Sequence, residues 1–268
     1  MMKKCFIRFT VAFMVACMVC PVLARAASDS LPSIEKPGAG KGLKALQEAS
    51  AAEKFLFIFF HEASATQTTE LQSRFENLMA SNEASATWVA VNRKDTAEQE
   101  IVARFKVQRA FMPLVLAVAP NGAVTSGFPG KMVSATAIQK AFVSKGLQDC
   151  LAPLQKGKLV LLCLQNKKTT DNAAAMAGVR EFAADLQFKT YTAVVIVNPT
   201  DLAEKSFLDQ LGLTSQETKA QTIVLAPPAI MLSQFKGAVT KDAIAAALKA
   251  ATSGGCGTGG CASSGCGN

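Results

Sequence analysis

The chain carries one stretch twice. VNRKDTAEQEIVARFKV from Val91 and VNPTDLAEKSFLDQLGL from Val197 align without a gap. Val91, Asn92, Asp95, Ala97 and Glu98 fall on Val197, Asn198, Asp201, Ala203 and Glu204, a spacing of 106 residues. VSATAI from Val133 meets VTKDAI from Val239 at the same spacing, and KFLFIFF from Lys54 meets KLVLLCL from Lys158 at 104. A period of about a hundred residues is too long for a solenoid repeat and matches a whole domain. The chain therefore reads as two copies of one small domain, and its function lies in what each copy kept or lost.

Within the first copy the patterns predict a helix over 43–52 and a strand over 54–60. That strand is a continuous apolar run of the kind buried on both faces. Leu71, Phe75, Leu78 and Met79 stand at helical spacing within a helix over 68–80. A strand follows over 88–91, then a helix over 97–105. Met112-Pro113 precedes an apolar strand over 114–119, Pro120-Asn121-Gly122 reads as a hairpin turn, and a closing helix covers 135–143. The second copy repeats the order: strand 158–165, helix 172–185, strand 192–197, helix 201–211, strand 222–226 and helix 241–250. Pro227-Pro228 falls at its hairpin turn.

This βαβα-ββ-α order, with a proline opening the first hairpin strand, is similar to the thioredoxin fold. FKVQRAFMPLVLAVAPNGAVTSGFPG, from Phe105 to Gly130, carries the resemblance most specifically. The implied architecture is α/β: two tandem thioredoxin-like three-layer α/β/α domains, at 41–147 and 148–252. The resemblance makes Pro113 the candidate cis-proline, with Met112 and Pro113 on a groove that receives extended peptide. Gln221 is read as the residue at that place in the second copy, which therefore looks degenerate.

Thioredoxin-like enzymes carry a Cys-x-x-Cys at the end of the first strand, where a helix N-terminus activates the leading thiol. Ser64-Ala65-Thr66-Gln67 stands there in the first copy, and Lys167-Lys168-Thr169-Thr170-Asp171-Asn172 in the second. Neither stretch contains sulfur, so both inherited sites are expected to be redox-dead. Ser64 and Thr66 read as helix caps. His61 is the single histidine; it is either a ligand or base without a visible partner, or a residue at a strand end.

The first 26 residues read as a bacterial-type signal peptide. Lys3, Lys4 and Arg8 precede a short apolar run, and Ala24-Arg25-Ala26 is a small-x-small cleavage signal. Cleavage there places the protein in the periplasm or outside the cell. The alternative is a lipoprotein anchored at Cys17; membrane contact is otherwise confined to the signal. Removing the signal takes Lys3, Lys4, Arg8 and Arg25 with it and lowers the formal charge from +8 to +4 over 242 residues. No basic run interleaved with aromatics remains, so nucleic acid is not an expected partner. The partners expected are exported proteins or peptides. Residues 27–40, rich in proline and glycine, read as a disordered leader.

Five cysteines survive cleavage: Cys150, Cys163, Cys256, Cys261 and Cys266. Export permits disulfides, and a Cys150–Cys163 pair is one option; a core role for Cys163 is the other. Residues 253–268 form a flexible Gly/Ser/Cys-rich tail that cannot build a core. Its Cys256, Cys261 and Cys266 lie in C-x4-C-x4-C spacing. Three thiols on flexible glycine can chelate a soft metal such as Cu(I) or Zn(II), cycle as a disulfide, or crosslink. Three function classes stay open: a peptide-binding or chaperone-like module without catalysis, a thiol-disulfide oxidoreductase using the tail, and a metal-binding protein using the same tail.

Overall fold

The computed structural model describes residues 40–62, 66–129, 133–214 and 217–253. The expected signal and Cys17, the leader up to residue 39, Ser64, Ala65 and the three tail cysteines lie outside these residues. Among the described residues no helix is long and apolar enough to cross a membrane.

The first copy runs α1 (Lys41–Ala51), β1 (Phe55–His61), α2 (Thr66–Ala80), β2 (Ala86–Asn92), α3 (Gln99–Arg104), β3 (Leu114–Val118), β4 (Val124–Pro129) and α4 (Ala135–Ala141). Its strands form a sheet in the order β2-β1-β3-β4. β1 pairs parallel with β2 and antiparallel with β3, and β3 pairs antiparallel with β4. β1 lies inside the sheet between two helical layers, which is why every residue from Phe55 to Phe60 is apolar and buried. Phe57 and Phe59 pack against Phe75 of α2 and Ile138 of α4; Leu56, Ile58 and Phe60 pack against Leu43 and Leu46 of α1 and Ile101 of α3. At about 1.5–3 kcal/mol per fully buried large side chain, this one strand contributes a large share of the domain's hydrophobic stabilisation.

The second copy repeats the plan with α5 (Lys145–Gln155), β5 (Leu159–Leu164), α6 (Asn172–Ala184), β6 (Thr192–Val197), α7 (Lys205–Gln210), β7 (Gln221–Ala226), β8 (Ile230–Lys236) and α8 (Lys241–Ser253). The strand order is β6-β5-β7-β8, with the same parallel and antiparallel pairings. Even the bulge recurs: the β3–β4 register shifts at Ala117/Val118 and the β7–β8 register at Val224/Leu225. Strand order, register and the helical layers on both faces make each copy a thioredoxin-like α/β/α domain.

Two details differ from the sequence reading. The stretch after α4 is a helix rather than a linker. Leu147, Cys150 and Leu154 of α5 pack into the core of the second sheet, so the second copy begins near residue 145, not 148. Its signal was present at the 104-residue spacing, where Lys41-Gly42-Leu43 meets Lys145-Gly146-Leu147. α5 also joins the two copies. Gln155 bonds both backbone groups of Val124, at 2.9 and 2.6 Å, and Asn121 donates to Asp149 at 3.1 Å.

The second difference is one of register. β1 pairs Phe60 with Leu114, and β5 pairs Leu164 with Gln221. Phe60 and Leu164 are equivalent, so Leu114 matches Gln221 and Pro113 matches Ala220. Gln221 is therefore one residue past the position read from sequence, although the second copy still lacks a proline there.

The repeated Glu98 and Glu204 have the same task in each copy. Both carboxylates are buried. Glu98 accepts from the Gly42 amide at 3.0 Å, and Glu204 accepts from the Gly146 amide at 2.8 Å and the Ser144 hydroxyl at 2.6 Å. Each caps the N-terminus of its copy's first helix, where amide donors and the helix dipole favour negative charge. The glycines are required by this close approach: a Cβ on Gly42 would stand 2.9 Å from Glu98 Oε2, and one on Gly146 2.6 Å from Glu204 Oε2.

Candidate functional site

The parallel pairing of β1 with β2 brings His61 and Glu62 beside Asn92 and Arg93 at the carboxyl end of the first sheet. Arg93, mostly buried, forms an ion pair with Glu62. Its Nη1 also donates to the Ala110 carbonyl at 2.6 Å and the Val107 carbonyl at 3.3 Å. Charge-assisted bonds of this kind contribute about 1.5–3 kcal/mol each. One guanidinium thus ties the loop between α3 and β3 to the end of the sheet. The loop ends in Phe111, which is 97% exposed. Met112 and Pro113 follow, both half-buried, and the peptide bond between them is cis. Extending the Phe60–Leu114 register places Pro113 opposite His61. Among the described residues, the Met112 backbone amide and carbonyl have no hydrogen-bond partner.

His61 is half-buried, and desolvation lowers its pKa from the usual value. Its Nδ1 lies 3.2 Å from the Glu62 carbonyl oxygen, and its ring leans on Phe59. Among the described residues no group of three or more His, Cys, Asp or Glu side chains is placed to hold a metal ion. Of the stretch expected to match a redox motif, Thr66 and Gln67 open α2, while Ser64 and Ala65 lie outside the described residues.

In the second copy, Phe111, Met112 and Pro113 correspond to Thr218, Lys219 and Ala220. An extended residue lies across them. Thr170 forms a parallel bridge with Lys219: its amide donates to the Thr218 carbonyl at 2.8 Å, and its carbonyl accepts from the Ala220 amide at 2.9 Å. The loop carrying Thr170 is fixed by side chains. Asn166 accepts from the Lys168 and Thr169 amides and donates to Asn198 and Thr200. Thr169 donates to Asn172, which donates back to the Asn166 carbonyl at 2.7 Å. The first copy differs at both partners of this bridge. Thr66, which matches Thr170, is already helical, and Pro113 has no N–H to donate.

Cys150 and Cys163 are free and buried. The sequence option of a disulfide between them is corrected by topology. Cys150 packs with α5 and α7 on one face of the second sheet, and Cys163 packs with α6 and α8 on the other. With the sheet between them they cannot meet the close Cβ approach of a disulfide. Burial, aided by Asp149 and Glu204, pushes the Cys150 thiol up to about 12; burial pushes Cys163 to about 11. Neither is a thiolate at neutral pH, so neither is a nucleophile there.

Sequence reasoning selected Met112 and Pro113 but missed Arg93, Glu62 and Phe111. Glu62 lies one residue past β1 and forms its ion pair with Arg93. An available signal was the FMP triplet itself, which puts a phenylalanine two residues before the proline.

No protein-family model matches the chain, and none of the curated proteins does. Solved structures similar to it include the first two thioredoxin domains of Saccharomyces cerevisiae Eps1p, at 12% identity over 76% of this chain and 92% of that one, with a TM-score of 0.30. The human ERp44 zinc-bound form is similar at 11% identity over 77% of this chain and 56% of that one, with a TM-score of 0.34. The N-terminal domain of alkylhydroperoxide reductase AhpF from Enterococcus faecalis is similar at 18% identity over 78% of this chain and 99% of that one, with a TM-score of 0.25. The thioredoxin-like assignment rests on strand order and register rather than on these distant likenesses.

Proposed function

We propose that the chain is an exported binding module without catalysis in its two domains, and that the first copy receives extended segments of other polypeptides along Phe111, Met112 and Pro113. One observation carries this reading. The second copy lays an extended residue of its own, Thr170, on the matching backbone, which supports reading this edge of the fold as a seat for a strand-like segment. In the first copy the matching backbone is flanked by an exposed phenylalanine, held in place through Arg93. An aromatic anchor on the backbone that matches the seat of Thr170 suits peptide capture by strand addition. Any thiol exchange, or any Cu(I) or Zn(II) binding, falls to Cys256, Cys261 and Cys266, because the two described thiols are buried and protonated.

The test is binding of a permanently unfolded, carboxymethylated protein to the purified full chain. Phe111→Ser removes an exposed side chain and leaves the core intact. It is expected to weaken binding about tenfold or more, with thermal stability and Trp88 fluorescence unchanged. Undiminished binding by the folded variant would overturn the reading.

A further inference from the structure

A cleft of about 390 Å³ opens where the two copies meet. The first copy lines it with Arg104 and Lys106 at the end of α3 and with Asn121 and Gly122 of the β3–β4 turn; the second lines it with Gln155 and Lys156 at the end of α5. The Arg104 guanidinium lies over the turn, its Nη2 3.5 Å from where a Cβ on Gly122 would stand. Among the described residues no carboxylate lines the cleft, and Arg104, Lys106 and Lys156 form no ion pair. The neighbouring Asp149, which Asn121 reaches, is neutralised by Lys145 at 2.7 Å. The two copies differ here. In the repeat Lys106 falls on Gly212 and Arg104 on Gln210. Lys106 and Gly212 both take left-handed backbone, at φ 56° and 68°, which glycine adopts freely and other residues adopt at a cost. Cations near a helix end offset its dipole, but a glycine at 106 would end α3 as Gly212 ends α7. Helix termination therefore does not explain the lysine.

We infer that this cleft binds a small-molecule oxyanion carrying two or more negative charges, a phosphate-bearing or polycarboxylate compound, at the junction of the two copies. Arg104, Lys106 and Lys156 bring three positive charges to one cavity, so a singly charged anion would leave most of that charge unopposed. Arg104 supplies a planar fork for two oxygens, and the two lysines add point charges. The three cations are exposed, so salt screens the binding. Clefts at domain junctions are a common seat for small ligands. Arg104 and Lys106 belong to the first copy and Lys156 to the second. The bound anion therefore ties the copies together beside the Gln155–Val124 hydrogen bonds.

The experiment follows amide chemical shifts of the full chain by nuclear magnetic resonance during separate titrations with pyrophosphate and citrate, at constant low ionic strength. Saturating shifts are expected at Lys106, Gly122 and Lys156. A response to pyrophosphate alone assigns a phosphate compound, a response to citrate alone a polycarboxylate, and an equal response to both a site that reads charge. Lys156→Gln is expected to weaken binding about threefold or more. Lys106→Asn is expected to do the same, since asparagine tolerates left-handed backbone, and the two together are expected to weaken it about tenfold. Lys189→Gln, at an exposed lysine that does not line the cleft, is expected to leave affinity unchanged. Circular dichroism checks the fold of each variant; should Lys106→Asn fail to fold, Lys156→Gln decides alone. No saturable response to either anion, shifts spread over lysines across the whole surface, or full affinity in the folded variants would overturn the inference. So would a loss in Lys189→Gln as large as that in Lys156→Gln.

Discussion

At the carboxyl end of its central strand, the first copy presents Phe111 to solvent and has Pro113 without an N–H, while the second copy lays Thr170 between the Thr218 carbonyl and the Ala220 amide and ties it down through Asn166. The sheets, bulges and buried glutamate caps are otherwise the same. The lesson lies in a few atoms. In one copy a proline without an N–H and a helix that starts two positions earlier remove the two partners of that bridge. An alanine with an N–H and a residue held in extended bridging geometry close the other.

The comparison extends to the cores, where the largest difference is expected at alkaline pH. The first copy contains no cysteine, while Cys150 and Cys163 sit in the two cores of the second. Their folded-state pKa values, about 12 and about 11, lie above the ordinary value of 9.0. Between these limits the unfolded chain has lost the protons that the folded chain still binds, so stability falls as pH rises. The loss begins near pH 9 and grows toward pH 11–12, reaching a few kcal/mol at about 1.4 kcal/mol per pKa unit. The second copy is expected to open first. Peptide-level mass spectrometry of alkylated Cys150 and Cys163 reports its opening, and Trp88 fluorescence reports the first copy. Loss of the Trp88 signal before alkylation would break this asymmetry.

A smaller difference is expected at the helix caps. Glu204 accepts from Gly146 and Ser144, but Glu98 only from Gly42 among these donors. Glu204→Ala is expected to cost about 3 kcal/mol and Glu98→Ala about 1.5–2, since each bond to a charged group contributes about 1.5–3 kcal/mol. Chemical denaturation followed by the same two probes checks this. Equal losses would mean that the Ser144 hydroxyl contributes nothing.

How much of this was legible in the sequence follows from its physics. The runs at 54–60 and 158–165 announced central strands because a strand covered on both faces must be apolar throughout. The repeat carried the fold from one copy to the other, and Glu98 over Glu204 flagged a shared task without showing which amides they cap. Arg93 was not legible, because its partners are backbone carbonyls of Val107 and Ala110, which every residue possesses. The plug in the second copy was hidden for the same reason: Thr170 acts through its backbone. Ala220 was displaced by one residue because the spacing between copies drifts from 104 to 107 through the loops.

The central claim is that one edge receives foreign chain and its twin does not. Amide chemical shifts of the full chain, followed by nuclear magnetic resonance during titration with the permanently unfolded carboxymethylated protein, test it most directly. Shifts are expected at His61, Phe111, Met112 and Leu114, with Thr170 and Ala220 unmoved. Shifts concentrated at Thr170, Lys219 and Ala220, or a saturating titration that leaves Phe111 and Met112 in place, would contradict it.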